Sequence, residues 1–260
     1  MADAFFTPTS EPDMFGSTEL TQGPWSPGTQ HAGPPAALLV RAAERVTSSI
    51  VGPSQLVRVA FDILGPVPVA PLRVRAEVLR PGRAVELVEA TLSAGDRPVM
   101  TARAWRIRST ALSLPLAVAA QPPAAQPESV EQSESAWPGG YLTAIEWRFV
   151  AGQFEKPGPA RVWTRLRVPV VAGEEPSGLQ RAAAVADSGN GLSGLLDPAD
   201  WWFINTELTV HVHRQPVGEW IMVDARSTLD PAGVGLAETE LADRSGGFGR
   251  GAQALMVGPR

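Results

Sequence analysis

The residues best suited to chemistry lie between Arg181 and His213, in the stretch RAAAVADSGNGLSGLLDPADWWFINTELTVHVH. A short apolar helix is expected to end in a carboxylate, Asp187. A Gly/Ser/Asn loop comes next, and the strand after it is expected to open with Asn205. A carboxylate at a helix end, facing an amide at a strand start, can hold a water molecule. The chemistry this implies is hydrolysis, in which a positioned base contributes roughly 10²- to 10⁴-fold. Plainer readings exist for both residues. Asp187 can cap the loop after it, and Asn205 can be a residue of a strand-entry turn.

Other routes to catalysis find little support. The chain has 260 residues and no cysteine, which removes disulfides, thiolate nucleophiles and cysteine-type zinc sites. Of the three histidines, His211 and His213 share a strand face, but no third ligand stands at a useful spacing. With His31 they are expected to be solvent-facing or packing residues. No metal and no cofactor are expected. GFGRGA (247–252) has the form of a dinucleotide fingerprint, but only eight residues come after it, too few for a βαβ unit. Phosphate-binding loops, GxSxG elbows and DxDxDG loops are missing. A net charge of −5 argues against a nucleic-acid partner. The start, MADAFFTPTSEPD, lacks the basic and apolar regions of a signal peptide. No apolar run reaches the ~18 residues that span a bilayer. A cytoplasmic location is therefore expected.

The elements that must position these residues can be read from periodicity. Residues 1–30 form an extended lead-in that packs on a body, with room for one short strand. Pro34 and Pro35 suit a first helical turn, and Ala36, Leu39, Val40 and Ala43 then repeat at helical spacing. Period-two alternation marks strands at 57–63, 72–78, 85–92 and 99–107, joined by turns at Arg80-Pro81-Gly82 and Ala94-Gly95-Asp96. Residues 111–137 are rich in Ala, Pro, Gln, Ser and Glu, and read as a flexible linker partly in polyproline II form. The plan then restarts. Two strands precede a helix capped by Ser177 and running from Leu179 to Asp187, with Gly189 just past its end. A strand at 208–212 and a second meander complete the chain. Trp201 and Trp202 can line a tunnel or serve as core, and Arg214 can meet a phosphate or an internal carboxylate.

The two halves match at an offset of 150 residues. Pro66 falls on Pro216, Val67 on Val217, Leu79 on Leu229, Pro81 on Pro231, Ala102 on Ala252, and Ala32 on Ala182. The match implies a duplication, with an N-terminal unit at 1–110, the linker at 111–137 and a C-terminal unit at 138–260. The fold class is α+β.

A duplicated helix-plus-antiparallel-sheet unit resembles the double-hotdog acyl-CoA thioesterases of the thioesterase II type, in their actinobacterial branch. The stretches that carry the resemblance are IEWRFVAGQFEKPGPARVWTRLRVPV (145–170), RAAAVADSGNG (181–191), FINTELTVHVHRQPVGEW (203–220) and GRGAQALMV (249–257). It spans essentially the whole chain and is more specific in the second half. The resemblance implies one continuous sheet around two central helices. It also implies a catalytic trio of an Asp at the second helix end, a hydroxyl residue on the next strand and a Gln on the last strand. These fall on Asp187, Asn205 and Gln253. Asn205 departs from the pattern, since an amide holds water but cannot pass a proton as a hydroxyl can. Thr206 is a hydroxyl neighbour, but alternation points it to the other face. Hotdog enzymes polarise the thioester carbonyl with a backbone N–H at a central helix start, which here falls near Gly33. The implied reaction is cofactor-free hydrolysis of acyl-CoA, with coenzyme A present only as part of the substrate. Edge strands and small flat helix faces suggest self-association as a homodimer or higher homo-oligomer. The alternative is a non-catalytic or weakly active acyl-CoA-binding protein.

Overall fold

The computed structural model describes residues 3–113, 121–134, 139–154 and 156–260. The lead-in holds two short strands rather than one, β1 (Phe6–Pro8) and β2 (Met14–Ser17), which pair with each other. Helix α1 (Gly33–Arg45) comes next, then β3 (Ser54–Ile63), β4 (Pro71–Arg80), β5 (Val85–Ala94) and β6 (Arg97–Arg108). The second half holds a short helix α2 (Gly140–Ala144), β7 (Ile145–Gln153), β8 (Lys156–Leu166), α3 (Gly178–Ala186) and α4 (Gly189–Leu192). It ends with β9 (Trp201–Asn205), β10 (Glu207–Val212), β11 (Trp220–Asp230), β12 (Val234–Asp243) and β13 (Gly246–Pro259). All strands join one sheet in the order β1-β2-β4-β5-β6-β3-β10-β13-β12-β11-β8-β7, with β9 paired to β13. The halves meet where β3 pairs with β10, Val59 opposite Val210. This is the continuous α+β sheet that the resemblance implies.

The two long helices lie side by side and antiparallel inside the curved sheet. The start of α1 touches the end of α3: a Cβ on Gly33 would stand 2.1 Å from the Ala184 carbonyl oxygen. At the other end Glu44 accepts hydrogen bonds from Ser177 Oγ (2.7 Å) and Gln180 Nε2 (2.6 Å) at the start of α3. Small side chains permit this approach. Ala36, Ala37 and Ala43 of α1 and Ala182, Ala183, Ala184 and Ala186 of α3 are all buried.

The duplication is real in the fold, but its register differs from the sequence match. The starts of β4 and β11, of β5 and β12, and of β6 and β13 are each separated by 149 residues. Cross-strand pairs repeat at the same offset, with Leu56 opposite Arg106 and Asn205 opposite Leu255. An offset of 150 would place buried Val88 on Glu238, which faces outward; 149 places it on buried Ala237. Side chains alternate with period two, so a slip of one residue exchanges the faces of a whole strand. The helices do not obey the 150 offset either, since α1 starts at Gly33 and α3 at Gly178.

The connector also departs from expectation. Its residues 121–134 lie against the outer face of the second half. Trp163 Nε1 donates to the Ala125 carbonyl (2.8 Å), Arg148 Nη1 donates to that of Pro127 (2.9 Å), and Pro127 is buried. These contacts offset the ordering entropy that composition alone assigns to such a segment. Residues 114–120 and 135–137 of the expected linker lie outside the described residues.

Candidate active site

Asp187 is the C-cap of α3, as its position after an apolar helical run implies. Ser177 is the N-cap, its Oγ accepting from Gln180 N at 3.1 Å. The segment after Asp187 is more than a plain loop. Ser188 leads into the single helical turn α4, and Gly189 opens it because two side chains crowd that point. A Cβ on Gly189 would stand 2.7 Å from Thr239 Cγ2 and 2.9 Å from Gln253 Oε1.

Asn205 closes a strand rather than opening one. β9 ends at Asn205, β10 begins at Glu207, and Thr206 between them is an extra residue opposite β13. This bulge lets Asn205 and Leu208, three positions apart, both face the helices, while Thr206 is exposed. The first half carries the matching irregularity at Val57, between Leu56 and Arg58. The bulge is therefore common to the two halves, and the amide at position 205 is present only in the second.

Four side chains converge. Asn205 Nδ2 donates to Asp187 Oδ1 at 2.8 Å, and Gln253 Nε2 lies 3.3 Å from the same oxygen and 3.1 Å from the Asp187 carbonyl oxygen. Gln253 Oε1 accepts from Asn190 N, the first turn of α4, at 3.2 Å. The Gln253 amide is thereby oriented from both ends. Asp187 Oδ2 faces His31 Nδ1 at 3.1 Å. Asp187 is 4% exposed and Gln253 1%.

The sequence placed His31 among packing or solvent residues. It stands instead against the candidate carboxylate, its ring stacked on Tyr141 with centroids 3.8 Å apart and planes at 11°. Tyr141 donates to the Ala184 carbonyl (2.9 Å) and pairs with Ser188 Oγ (2.8 Å), which ties α2 to the end of α3. Burial pushes the His31 ring below its ordinary pKa, although the nearby Asp187 charge pulls the other way, so the imidazole is neutral near pH 7. Burial likewise pushes the Tyr141 hydroxyl upward and keeps it neutral. The one sequence signal for His31 is its place two residues before a Gly-Pro-Pro helix start, which carries no periodicity of its own. His211 and His213 line a groove on the outer face of the sheet.

Gly33 lies beside this cluster, with its N–H 3.1 Å from His31 Nδ1. Pro34 and Pro35 have no N–H, so Gly33 supplies the only one from the first three residues of α1. A neutral ring nitrogen offers a single in-plane direction. With its proton on Nδ1, His31 donates to Asp187 and leaves the Gly33 N–H free; with its proton on Nε2, it accepts from Gly33. The Asp187 carboxylate sits between two helix ends, the negative end of α3 and the positive end of α1.

The pseudo-equivalent location in the first half has none of this polarity. The α1 C-cap is Val46, and the positions 149 residues before Asn205 and Gln253 are Leu56 and Ala104. There the helix end is satisfied differently. Arg106 Nη2 donates to the Ala43 carbonyl (2.5 Å), and its Nη1 pairs with Glu86 (2.5 Å), both residues being buried. One polar site per chain remains.

The other candidates find structural roles. Arg214 forms a two-pronged pair with buried Asp243 (2.5 and 2.7 Å), an internal carboxylate. GFGRGA lies on β13. Trp201 is exposed, and Trp202 packs on Gly258 at the strand's edge. Besides Tyr141, the aromatic side chains Trp25, Phe154 and Phe203 lie near the site and line a cavity of about 90 Å³ together with His31, Ser188 and Asn190. Among the described residues, no group of three His, Cys, Asp or Glu is placed to hold a metal, and no helix is long and apolar enough to cross a membrane.

Comparison with known families identifies the chain. Residues 21–107 match the acyl-CoA thioesterase N-terminal domain, and residues 118–257 match the acyl-CoA thioesterase C-terminal domain. The chain belongs to the acyl-CoA thioesterase family. It is a double-hotdog thioesterase, and all three site elements of the second half fall within the matched C-terminal domain. Among solved structures, it is similar to a hotdog-fold protein of unknown function from Alicyclobacillus acidocaldarius (TM-score 0.73, 16% identity, 96% of this chain and 95% of that chain). A candidate thioesterase II from Thermobifida fusca gives TM-score 0.73 at 19% identity, covering 95% of each chain. An acyl-CoA thioesterase II from Mycobacterium marinum gives 0.65 at 16% identity, covering 97% of this chain and 94% of that one. At these identities the likenesses establish the fold. No curated protein matches the chain.

Proposed function

We propose that this thioesterase hydrolyses acyl-CoA by a water that Asp187 activates. The observation that carries the reading is the Asp187 carboxylate itself. Its Oδ1 is held by Asn205 and Gln253, which leaves Oδ2, shared only with His31, to face a reactant. Asp187 takes a proton from water as the oxygen attacks the thioester carbonyl. The tetrahedral intermediate expels the thiolate, the C–S bond breaks, and the proton on Asp187 passes to the leaving sulfur. Asn205 has no partner for its Oδ1 among the described residues, so it can accept the water's second proton in a hydrogen bond. Gln253 orients Asp187 and α4. The Gly33 N–H, released when His31 turns its proton to Asp187, polarises the carbonyl. No cofactor enters this scheme.

The test is thiol release from a panel of acyl-CoAs by wild type and Asp187→Asn. The amide keeps the shape and removes the base, so a loss of about 10²-fold or more is expected. Equal, poor hydrolysis by both proteins overturns the mechanism and favours the acyl-binding alternative, to which the amide at Asn205 lends support. We also assign the protein to the cytoplasm as a homodimer or higher oligomer. Exposed Val234, Leu236 and Met256, clustered on neighbouring strands, support self-association, which sedimentation would measure.

A further inference from the structure

The cavity beside the cluster sets a limit on what the site accepts. His31 and Asn190, which line it, connect to Asp187 directly and through Gln253, and Ser188 beside them pairs with Tyr141, the ring stacked on His31. Gly191, also on its wall, is exposed and has no atom within 4 Å of where a Cβ would stand, so the cavity opens to solvent beside it. The remaining walls are apolar, and two of their rings are paired. Trp25 meets Phe203 edge to face, with centroids 5.0 Å apart and planes at 87°.

Those walls have little slack. Phe203 is buried, its backbone oxygen accepts from Asn190 Nδ2 at 3.2 Å, and its ring edge lies 3.3 Å from where a Gly194 Cβ would stand. On the other side Phe154 packs edge to face on both Trp147 (5.1 Å) and Phe149 (4.9 Å). Trp25 is covered in turn by the Arg260 guanidinium, 5.7 Å from the ring centroid. The larger groove, about 930 Å³, is bounded by outward-facing Arg58, Trp105, His211 and Arg250. It lies behind the sheet from Asp187, so a thioester held at the carboxylate cannot extend its chain there.

Resting on the hydrolytic reading above, we propose that this enzyme selects short acyl groups, of about three to five carbons, and that Trp25 and Phe203 set the length. A cavity of about 150 Å³ takes the six carbons of benzene, so one of about 90 Å³ takes about three to four carbons beyond the carbonyl at most. With the carbonyl carbon beside His31 and Asn190, the chain beyond it ends against the Trp25–Phe203 pair. Each further methylene has to displace packed aromatic rings.

The experiment is kcat/KM for straight-chain acyl-CoAs from acetyl to dodecanoyl. Wild type is expected to peak between propanoyl and pentanoyl, with decanoyl at least about tenfold lower. Trp25→Ala is expected to move the peak at least two carbons longer. Phe203→Leu makes the same test should the first variant fail to fold. Binding of the matching non-hydrolysable ketone analogues, in which carbon replaces the thioester sulfur, reads the length preference without turnover. A wild-type peak at decanoyl or longer, or a profile unmoved by both variants, overturns the length assignment while leaving the hydrolase intact. Absent turnover with analogue binding that still peaks at short chains overturns the hydrolytic reading and leaves the cavity assignment standing. Absent turnover with no length preference in binding overturns both.

Discussion

His31 Nδ1 stands 3.1 Å from Asp187 Oδ2, although 156 residues separate the two in the chain. The same nitrogen lies 3.1 Å from the Gly33 N–H. The position of a single proton on this ring therefore decides whether the helix start is occupied or free, and whether the carboxylate gains a donor.

This contact has a pH signature. Burial lowers the His31 pKa from its ordinary 6.5, so the unfolded chain binds this proton at a higher pH than the folded one. Stability from this residue is then complete above about pH 6.5 and declines as pH falls through 6.5 toward the lower folded value. His31→Phe keeps a ring on Tyr141 and removes the titration. Thermal melts between pH 7.5 and 5.5 should show a smaller loss for the variant than for wild type; equal losses would falsify the assignment.

Asn205 holds the carboxylate through one charge-assisted bond. Asn205→Ala removes it and is expected to weaken the transition state by about 1.5–3 kcal/mol, or about 10- to 10²-fold in kcat/KM. Asn205→Thr brings a hydroxyl that can pass a proton, and is expected to exceed wild type in turnover. A threonine variant no better than the alanine variant would show that hydroxyl geometry cannot be recovered on this bulged strand.

Gly189 tests the role of Gln253 without touching it. The added methyl of Gly189→Ala must displace Gln253 Oε1 or the Thr239 methyl. Over-packing of this kind costs about 1–3 kcal/mol of stability. The finding to look for is a fall in kcat larger than the change in KM, because the Asn190–Gln253–Asp187 chain is disturbed. A variant with wild-type kcat whose crystal structure shows the Gln253 side chain displaced would exclude Gln253 as an orienting residue.

The far end of the helix pair supplies a stability test. Burial alone would raise the Glu86 pKa, but hydrogen bonds from Ser49 and the Arg106 charge outweigh it and hold the carboxyl below its usual value. Arg106→Ala leaves that buried carboxylate unpaired and uncaps α1, for an expected loss of about 3–5 kcal/mol in denaturant unfolding. Replacing both partners, as Glu86→Leu with Arg106→Met, should recover most of it. A double variant as unstable as the single one would show that the contact with the Ala43 carbonyl dominates.

The chain by itself determined the two-unit plan, because helix and strand periodicities are local and turn residues punctuate them. It also determined Asp187 as a helix end, since an apolar run capped by Ser177 must stop where Ser-Gly-Asn begins. Tertiary structure decided the rest. Only strand pairing showed that the halves repeat at 149 residues, because a slip of one changes few sequence matches but exchanges every face. Only the bulge at Thr206 turned Asn205 inward, since an extra residue in a strand leaves no mark on composition. Only the antiparallel packing of the helices brought His31 to Asp187. A lone histidine ahead of two prolines carries no periodic signal, and its role comes entirely from the alanine-lined contact that seats one helix start on the other helix's end.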